Sequence, residues 1–495
     1  VHSTDHVLPG QPPVTFLRCP ECGAAFLQDL TPPDYASDMA EMLDYYVEQG
    51  AGIDLIVAPL LRLAPRTVRR CLEIGGSFGF ALDFCRYAFG WEVLEVDPSP
   101  LAAAGAEALG LPLRRAYFSA DLDLGPEPFE AVILSEVIEH VGEPHALLAA
   151  IRDRLSPDGL LVLSTPNLAL IRPEREESML RRALSPGLHL VLYDRNSLVR
   201  ILTEAGFAAV HVDESPETLR AFAGRSPTAL AGVRPADPST ERALLRGYFA
   251  ARTASAPPAS ALACGFAYRH FKECVNAGLH EEAAASRVRL ARVYAERYGL
   301  DLERPALETG RTLPYNLPGA LFFSGILELN GLGRAGRAAD CFAAAVAAAG
   351  LVERQTPFGF GDGETEALLA QSRKHLPMAL AATDPDRAVR EIEALERAAG
   401  TTASLPPELL AGARAQTFIR LVNAGAYAAA ERLAPAIARQ TEPFVRAGEP
   451  SAEVLDCLHC LGFLSLHGTS AESPRPAPPT GTLRRVRAFL AARRG

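Results

Sequence analysis

Three side chains able to move protons or hold a metal stand together in the run SEVIEHV: Glu136, Glu139 and His140. If that run is helical, positions i, i+3 and i+4 share one face. An imidazole placed there can take the proton from an acceptor hydroxyl or amine. Two carboxylates and an imidazole can also hold a divalent cation, zinc or magnesium, with water completing the shell. Acidic residues in a first helical turn serve the helix dipole as well, with no further role. His189, in SPGLHLVLYD, reads by itself as a loop imidazole bonded to backbone, and His145 is expected at the surface. Cys19 and Cys22, in CPEC, supply half of a tetrahedral zinc site. His2 and His6 are the nearby residues that can complete it. A second C-x-x-C, Cys457 and Cys460 in CLHC, falls in a helical run and reads as core packing.

The run CLEIGGSFGF carries a different chemistry, that of a ligand-holding turn. It follows the strand-like VRRCLEI and opens the helix-like FALDFCRYAF, so the N–H groups of a helix start face whatever lies over it. Gly75, Gly76 and Gly79 miss the dinucleotide spacing G-x-G-x-x-G. Asp97 closes the next strand and suits the hydroxyls of a ribose, in either a nicotinamide or an S-adenosylmethionine (SAM) site. The turn separates the two. A pyrophosphate against the helix start is poorly served by Glu73, whereas the ammonium and sulfonium of SAM are cationic and suit it. Ser77 is compatible with this turn if its backbone stays out of the left-handed region.

These residues must be positioned by an α/β framework. Apolar runs VRRCLEI, WEVLEV, FEAVILS and GLLVLSTP read as strands, alternating with helical FALDFCRYAF, PLAAAGAEALG and PHALLAAIRDRL. Ser156-Pro157-Asp158-Gly159 is expected to be a turn before the last strand. Asp194 sits where an N-cap belongs and Gly206 where a C-terminal cap belongs. Residues 1–34 form a cysteine-bearing N-terminal segment, 35–223 the α/β domain and 224–262 a Pro/Ala-rich linker with at most one helix. Residues 263–468 are strand-poor and helical, and 469–495 hold a Pro-rich linker before a basic helix. Within the helical part, NAGLHEEA at 276–283 recurs as NAGAYAAA at 423–430 and loosely as NGLGRAGRAA at 330–339. A glycine turn with an alanine five residues on is what two close-packed antiparallel helices need, and it resembles tetratricopeptide-type hairpins.

The motifs LEIGGSFGFALDFCR, VLEVDPSP and FEAVILSEVIEHVGEPHALLAAIRDRLSPDGLLVLSTPN, in that order, resemble a class I SAM-dependent methyltransferase over residues 35–215. The subgroup it is similar to contains ubiquinone-biosynthesis O-methyltransferases and sugar-modifying methyltransferases. The resemblance implies a Rossmann-like seven-stranded fold followed by the all-α domain. It implies that Glu73, Gly75 and Gly79, with Gly76 beside them, line the methionine end of SAM. Asp97 would hold the ribose, Phe118 sit near the adenine and Ser135 close the site beneath the methyl group. His140, Glu136 and His189 would be the catalytic residues, and E-x-x-E-H in ubiquinone-type relatives accompanies a divalent cation. CPEC resembles the second half of a zinc ribbon.

Composition limits the rest. With 48% hydrophobic and 22% charged residues the 495-residue chain is globular, and a net charge of −10 argues against a general nucleic-acid binder. No run of 18 apolar residues suggests a membrane span. Nine cysteines, an odd number set mostly in apolar runs, suit reduced thiols in the cytoplasm. The expectation is a cytoplasmic methyltransferase for a small-molecule or glycan-precursor acceptor, at oxygen, with a helical domain for a protein partner or the substrate. A non-catalytic SAM-binding scaffold, a sugar C-methyltransferase and a nicotinamide oxidoreductase are the alternatives.

Overall fold

The computed structural model describes residues 2–3, 15–37, 40–50, 52–63, 68–172, 175, 177–185, 187–235, 237–356, 363–398, 405–447 and 451–467. The Pro-rich segment and basic helix near the C-terminus, with Leu483, Val486, Phe489 and Leu490, lie outside the described residues. So do His6 and the side chain of His2. The chain divides into two compact units, residues 1–257 with 261–266, and residues 258–260 with 267–495.

The first unit is built on two sheets. Strands β1 (His2–Ser3), β2 (Thr15–Arg18), β3 (Ala25–Leu27) and β9 (Val191–Leu192) form a small one in the order β1-β2-β3-β9. The large one has seven strands: β4 (Arg70–Ile74), β5 (Glu92–Val96), β6 (Leu113–Arg114), β7 (Phe129–Ser135), β8 (Leu155–Pro166), β10 (Ala209–Glu214) and β11 (Thr218–Gly224). Its order is β10-β11-β8-β7-β4-β5-β6, with β11 antiparallel to both neighbours and the other pairings parallel. Leu72, Val132, Ile133, Leu161 and Val162 are buried, since helices cover both faces of a parallel sheet. The chain runs outward from β4 to β6 and then returns to β7 on the other side of β4. That reversal opens a crevice at the carboxyl ends of β4 and β7, where ligands bind in open α/β sheets.

The helices of this unit are α1 (Ala40–Tyr45), α2 (Ile53–Leu61), α3 (Phe80–Phe89), α4 (Pro100–Leu109), α5 (Pro144–Arg154), α6 (Glu177–Leu184), α7 (Arg195–Glu204) and α8 (Pro238–Ser255). Asp194 caps α7 in a capping box with Ser197, and Gly206 follows its C-terminal end with φ 90°. The Ser156–Gly159 stretch departs from the expected free turn. It lies inside β8, where Phe129 pairs with Leu155 but Ala131 with Leu160, so the four residues form an excursion in a strand that begins directly after α5.

Two expected boundaries differ as well. The N-terminal segment is not a separate element, because β3 pairs with β9 from within the α/β domain. The stretch expected to be a linker holds the one helix allowed for it, α8, but packs it into the unit: Tyr248 and Phe249 are buried with Phe84 and Phe266. The contact has a charged centre. Asp83 on α3, fully buried, accepts from Tyr248 Oη at 2.8 Å, Arg252 Nη2 at 2.6 Å and Arg86 Nη2 at 2.8 Å.

The second unit is helical among the described residues: most of α9 (Ala261–Asn276), then α10 (His280–Tyr298), α11 (Leu317–Ile326), α12 (Ala335–Gln355), α13 (Gly363–Leu380), α14 (Pro385–Arg397), α15 (Pro407–Asn423), α16 (Tyr427–Ala447) and α17 (Ala452–His467). The three repeated motifs are its hairpin turns. Gly278, Gly333 and Gly425 take φ of 69°, 65° and 76°, and the alanines five residues on, Ala283, Ala338 and Ala430, are each 0% exposed. A larger side chain at those alanines would push the paired helices apart. α12 is long and apolar enough to cross a membrane, but its Ala338, Phe342, Ala345, Ala349 and Val352 are buried within the unit. Cys457 is buried in the α15–α17 core beside the half-buried Cys460.

Asp83 is a buried carboxylate with three side-chain partners. Removing one partner of a buried charge pair leaves the other uncompensated, so Asp83→Ala should destabilise this unit by about 3–5 kcal/mol in urea unfolding. An unchanged midpoint would mean that α8 docks through its apolar face alone.

Candidate functional site

The glycine turn between β4 and α3 is held by its own sterics. Gly75 has φ 71°, and a Cβ on it would lie 2.6 Å from Val137 Cγ2. A Cβ on Gly76 would meet the Glu73 carboxyl at 2.6 Å, and one on Gly79, φ 78°, would meet Leu111 at 2.5 Å and Glu95 Oε2 at 2.8 Å. Ser77 departs from expectation, adopting φ 57° in the left-handed region. What holds it there is Asp97, whose Oδ2 accepts from the Ser77 N–H at 2.9 Å while Oδ1 accepts from the Ser99 N–H at 2.7 Å.

Beneath the turn three carboxyl groups crowd one sheet face. Glu73 and Glu95 are register partners across β4 and β5, and Asp97 lies two residues beyond Glu95. Burial, then the Asp97 charge, pushes the Glu73 carboxyl up to about 8; burial, then Glu73 and Asp97, pushes Glu95 up to about 10. Glu73 Oε2 and both Glu95 oxygens have no hydrogen-bond partner among the described residues. Glu73 is 2% exposed, packed under Gly76 rather than standing open at the mouth of the turn. Glu95 escaped the sequence reading, although a glutamate alternating with apolar residues in EVLEV was a legible sign.

The second half of the site lies beyond β7 and β8. Glu136 does not share a helical face with Glu139 and His140: it stands before the short 3-10 turn Ile138–His140 with φ 53°, its Oε1 accepting from Ser164 Oγ at 2.7 Å. Glu139 is fully buried. Its Oε2 accepts from Thr165 Oγ1 at 2.9 Å, while Oε1 has no hydrogen-bond partner among the described residues and lies 3.9 Å from His140 Nε2. Burial, then Glu136, holds this carboxyl well above the usual carboxylate range.

The two histidine rings meet edge to face with centroids 4.8 Å apart. His140 Nδ1 lies 2.9 Å from the Leu188 carbonyl, and His189 Nδ1 lies 2.8 Å from that of Ala183. A carbonyl only accepts, so each ring carries its proton on Nδ1 and leaves Nε2 bare. Burial lowers the pKa of His140; burial, then His140, lowers His189 to about 4. Tyr35 Oη joins His140 Nδ1 at 2.8 Å across 105 residues of sequence, a contact no local pattern announced. An open cavity of about 230 Å³ is lined by Glu136, Glu139, His140 and His189, with Leu170 and Met179 on its apolar side.

Glu139, His140 and His189 bring one donor atom each within 4.8 Å of one another. The cluster differs from the expected Glu136, Glu139 and His140, because Glu136 turns to Ser164 and His189 takes its place. Two bare imidazole nitrogens and an orphaned carboxylate oxygen fit a borderline cation such as zinc better than magnesium, which prefers oxygen.

The remaining expected residues are dispersed. Ser135 ends β7 opposite Ser164, and Phe118 is half-buried against the core. His145 is exposed and reaches Glu204. Cys19 and Cys22 flank the tight turn between β2 and β3, where the backbone N–H groups of Cys22 and Glu21 hold the Cys19 thiol below its usual range. Among the described residues no third ligand joins them to form a metal cluster.

Residues 46–212 match the model of a family described as a methyltransferase domain. A segment of 132 residues is 38% identical to a ubiquinone biosynthesis O-methyltransferase of Cereibacter sphaeroides, covering 25% of this chain and 51% of that protein. The enzyme of the same name from Ruegeria pomeroyi is 36% identical over 103 residues, 20% of this chain and 41% of the relative. The chain thus spans about half the length, or less, of these relatives. An O-methyltransferase family protein from Burkholderia thailandensis has a similar structure at 17% identity, covering 40% of this chain and 65% of that one with a TM-score of 0.33.

The buried acids generate a pH signature. Unfolded Glu95 titrates near 4.5 and the folded group at about 10, so the unfolded state sheds its proton first and stability falls as pH rises between the two. Glu95→Gln removes that loss. It should stabilise the first unit by roughly 4 kcal/mol at pH 8 and by about 1 kcal/mol or less at pH 5. Equal gains at the two pH values, read by denaturant unfolding, would refute the assignment.

Proposed function

We propose that residues 46–212, which match a methyltransferase-domain model, form a class I SAM-dependent methyltransferase domain that transfers a methyl group from SAM to oxygen of a small acceptor bound in the cavity at His140 and His189. The observation that carries the reading is a glycine turn over an acidic floor at the end of β4, packed against Val137 just beyond β7, with two histidines whose Nδ1 atoms are held by backbone carbonyls lining a cavity beyond the same strand. SAM fits the first half. The turn leaves no room for side chains, the Glu73 and Asp97 carboxyl groups suit its cationic methionine end and ribose hydroxyls, and no phosphate need approach Glu73. The oxygen assignment follows the names of the Cereibacter and Ruegeria relatives and the E-x-x-E-H run. A glycan precursor is the second acceptor class, in keeping with the sequence motifs' resemblance to sugar-modifying methyltransferases. Nine free thiols support a reducing, cytoplasmic setting.

Methyl transfer is an in-line displacement at carbon, so alignment supplies much of the acceleration. The cavity holds the acceptor, with Leu170 and Met179 against an apolar part and Glu136, Glu217 and Thr218 toward polar groups. His140 Nε2 accepts the hydroxyl proton as the oxygen attacks, and the Leu188 carbonyl, which can only accept from Nδ1, keeps the ring in the tautomer that allows this, with Tyr35 Oη accepting from the same N–H. Glu139, whose carboxyl burial holds well above the usual carboxylate range, stabilises the imidazolium to the extent that the new charge draws it into its ionised form. A zinc-type cation bound by Glu139, His140 and His189 would lower the acceptor's pKa and so replace part of this proton transfer. The helical unit offers a surface for a partner or carrier.

Three measurements test this. Calorimetry should detect SAM but not NAD, with Asp97→Ala weakening SAM about 10- to 100-fold through lost charge-assisted hydrogen bonds; tight NAD binding alone would overturn the reading. His140→Ala should retain SAM affinity while lowering turnover about 10²- to 10⁴-fold on an acceptor panel of phenols and sugars. Because burial depresses both imidazoles, the rate should be level at neutral pH and decline only on the acid side of the ordinary histidine value, near 6.5. A rate still rising between pH 7 and 8 would exclude His140 as the base.

A further inference from the structure

A second cluster, in the helical unit, has no part in methyl transfer. His270 and Cys274 stand four residues apart on α9, Glu282 and Ser286 four apart on α10, so each pair shares one helical face. His270 Nε2 lies 3.5 Å from Cys274 Sγ and 3.3 Å from Glu282 Oε1, and the three donor atoms fall within 4.8 Å of one another. His270 Nδ1 lies 3.0 Å from Ser286 Oγ. His270, Cys274 and Ser286 are buried, whereas the Glu282 side chain is 46% exposed and leaves a path from solvent.

We propose that the α9–α10 hairpin binds a zinc-class transition-metal ion through His270 Nε2, Cys274 Sγ and Glu282, with water in the fourth position. Two observations carry this. The first is geometric. With zinc–nitrogen, zinc–oxygen and zinc–sulfur bonds of about 2.0, 2.0 and 2.3 Å, a tetrahedral centre separates nitrogen from sulfur by about 3.5 Å and nitrogen from oxygen by about 3.3 Å. The observed separations are 3.5 Å and 3.3 Å. The second is the ring's other nitrogen, 3.0 Å from Ser286 Oγ. A ligating imidazole usually hands its other N–H to a neighbouring oxygen, which fixes ring and tautomer. Binding releases the Cys274 proton to solvent, leaving a thiolate on the metal. The ion would staple α9 to α10 beside the turn at Gly278.

The test uses the full chain stripped of metal and titrated with cobalt(II), then zinc(II). The Cys19→Ser/Cys22→Ser background removes the other candidate thiolates, and His189→Ala the other imidazole cluster. In that background cobalt should raise an ultraviolet thiolate-to-metal band, zinc should abolish it, and mass spectrometry should count one zinc per chain after dialysis. Cys274→Ser should eliminate the band. Ser286→Ala should weaken zinc about 10- to 100-fold, and Glu282→Gln, at an exposed side chain, should weaken it with helix content unchanged. A band that is absent in the background protein, that survives Cys274→Ser, or that is insensitive to Glu282→Gln overturns the proposal.

Discussion

The buried acids on β4 and β5 impose the constraint to which much of the first unit answers. Glu73, Glu95 and Asp97 share one sheet face, and burying carboxyl groups beside one another costs free energy unless they are protonated or hydrogen-bonded. Asp97 is stabilised by two backbone N–H groups, from Ser77 and Ser99. Those bonds tie the glycine turn to the entry of α4, so the residue suited to a ribose also shapes the turn beside it. Glu73 and Glu95 instead fill the space beneath Gly76 and Gly79. A ligand with positive charge above this floor would favour ionisation of the same carboxyl groups, which couples binding to their protonation.

Two of the four described non-glycine residues with positive φ stand at the same edge. Ser77 and Glu136, neither a glycine, take left-handed φ of 57° and 53° immediately beyond β4 and β7. Such conformations cost of order 1 kcal/mol or more and persist where the surroundings over-determine them. For Ser77 the determinant is Asp97; for Glu136 it is Ser164, which accepts its N–H through the backbone carbonyl and donates to its carboxylate. Each strained residue thereby points the next stretch of chain, α3 in one case and the Glu139–His140 turn in the other, into the crevice.

The N-terminal ribbon supplies the cavity's outer support. β3 pairs with β9, the Leu190 carbonyl receives the Leu27 N–H, and the Leu190 N–H is received by Glu139. His189 and His140 are therefore held by a sheet whose strands lie far apart in the sequence, and Tyr35 reaches His140 from the stretch that follows β3. In the helical unit the same economy of small residues appears in another form, with positive-φ glycines at the turns and buried alanines five residues later.

The local signals in the sequence determined the elements. Apolar runs, the Asp194 cap and the three glycine–alanine hairpin motifs depend on contacts within a few residues, and each is found where its pattern placed it. The glycine turn was legible for the same reason, since sterics within one β-turn-α connection restrict which residues fit, whereas the burial of Glu73 beneath Gly76 was not. What only the tertiary structure decided were relations across long separations. His189 replaced Glu136 beside Glu139 and His140 because β7 ends in a left-handed residue rather than a helix. Tyr35 joined the site, and Glu95 became a buried acid, through strand pairings that periodicity does not specify. Strand order and register set which distant side chains share a cavity, and they arise from packing of the whole unit rather than from any segment's own preference.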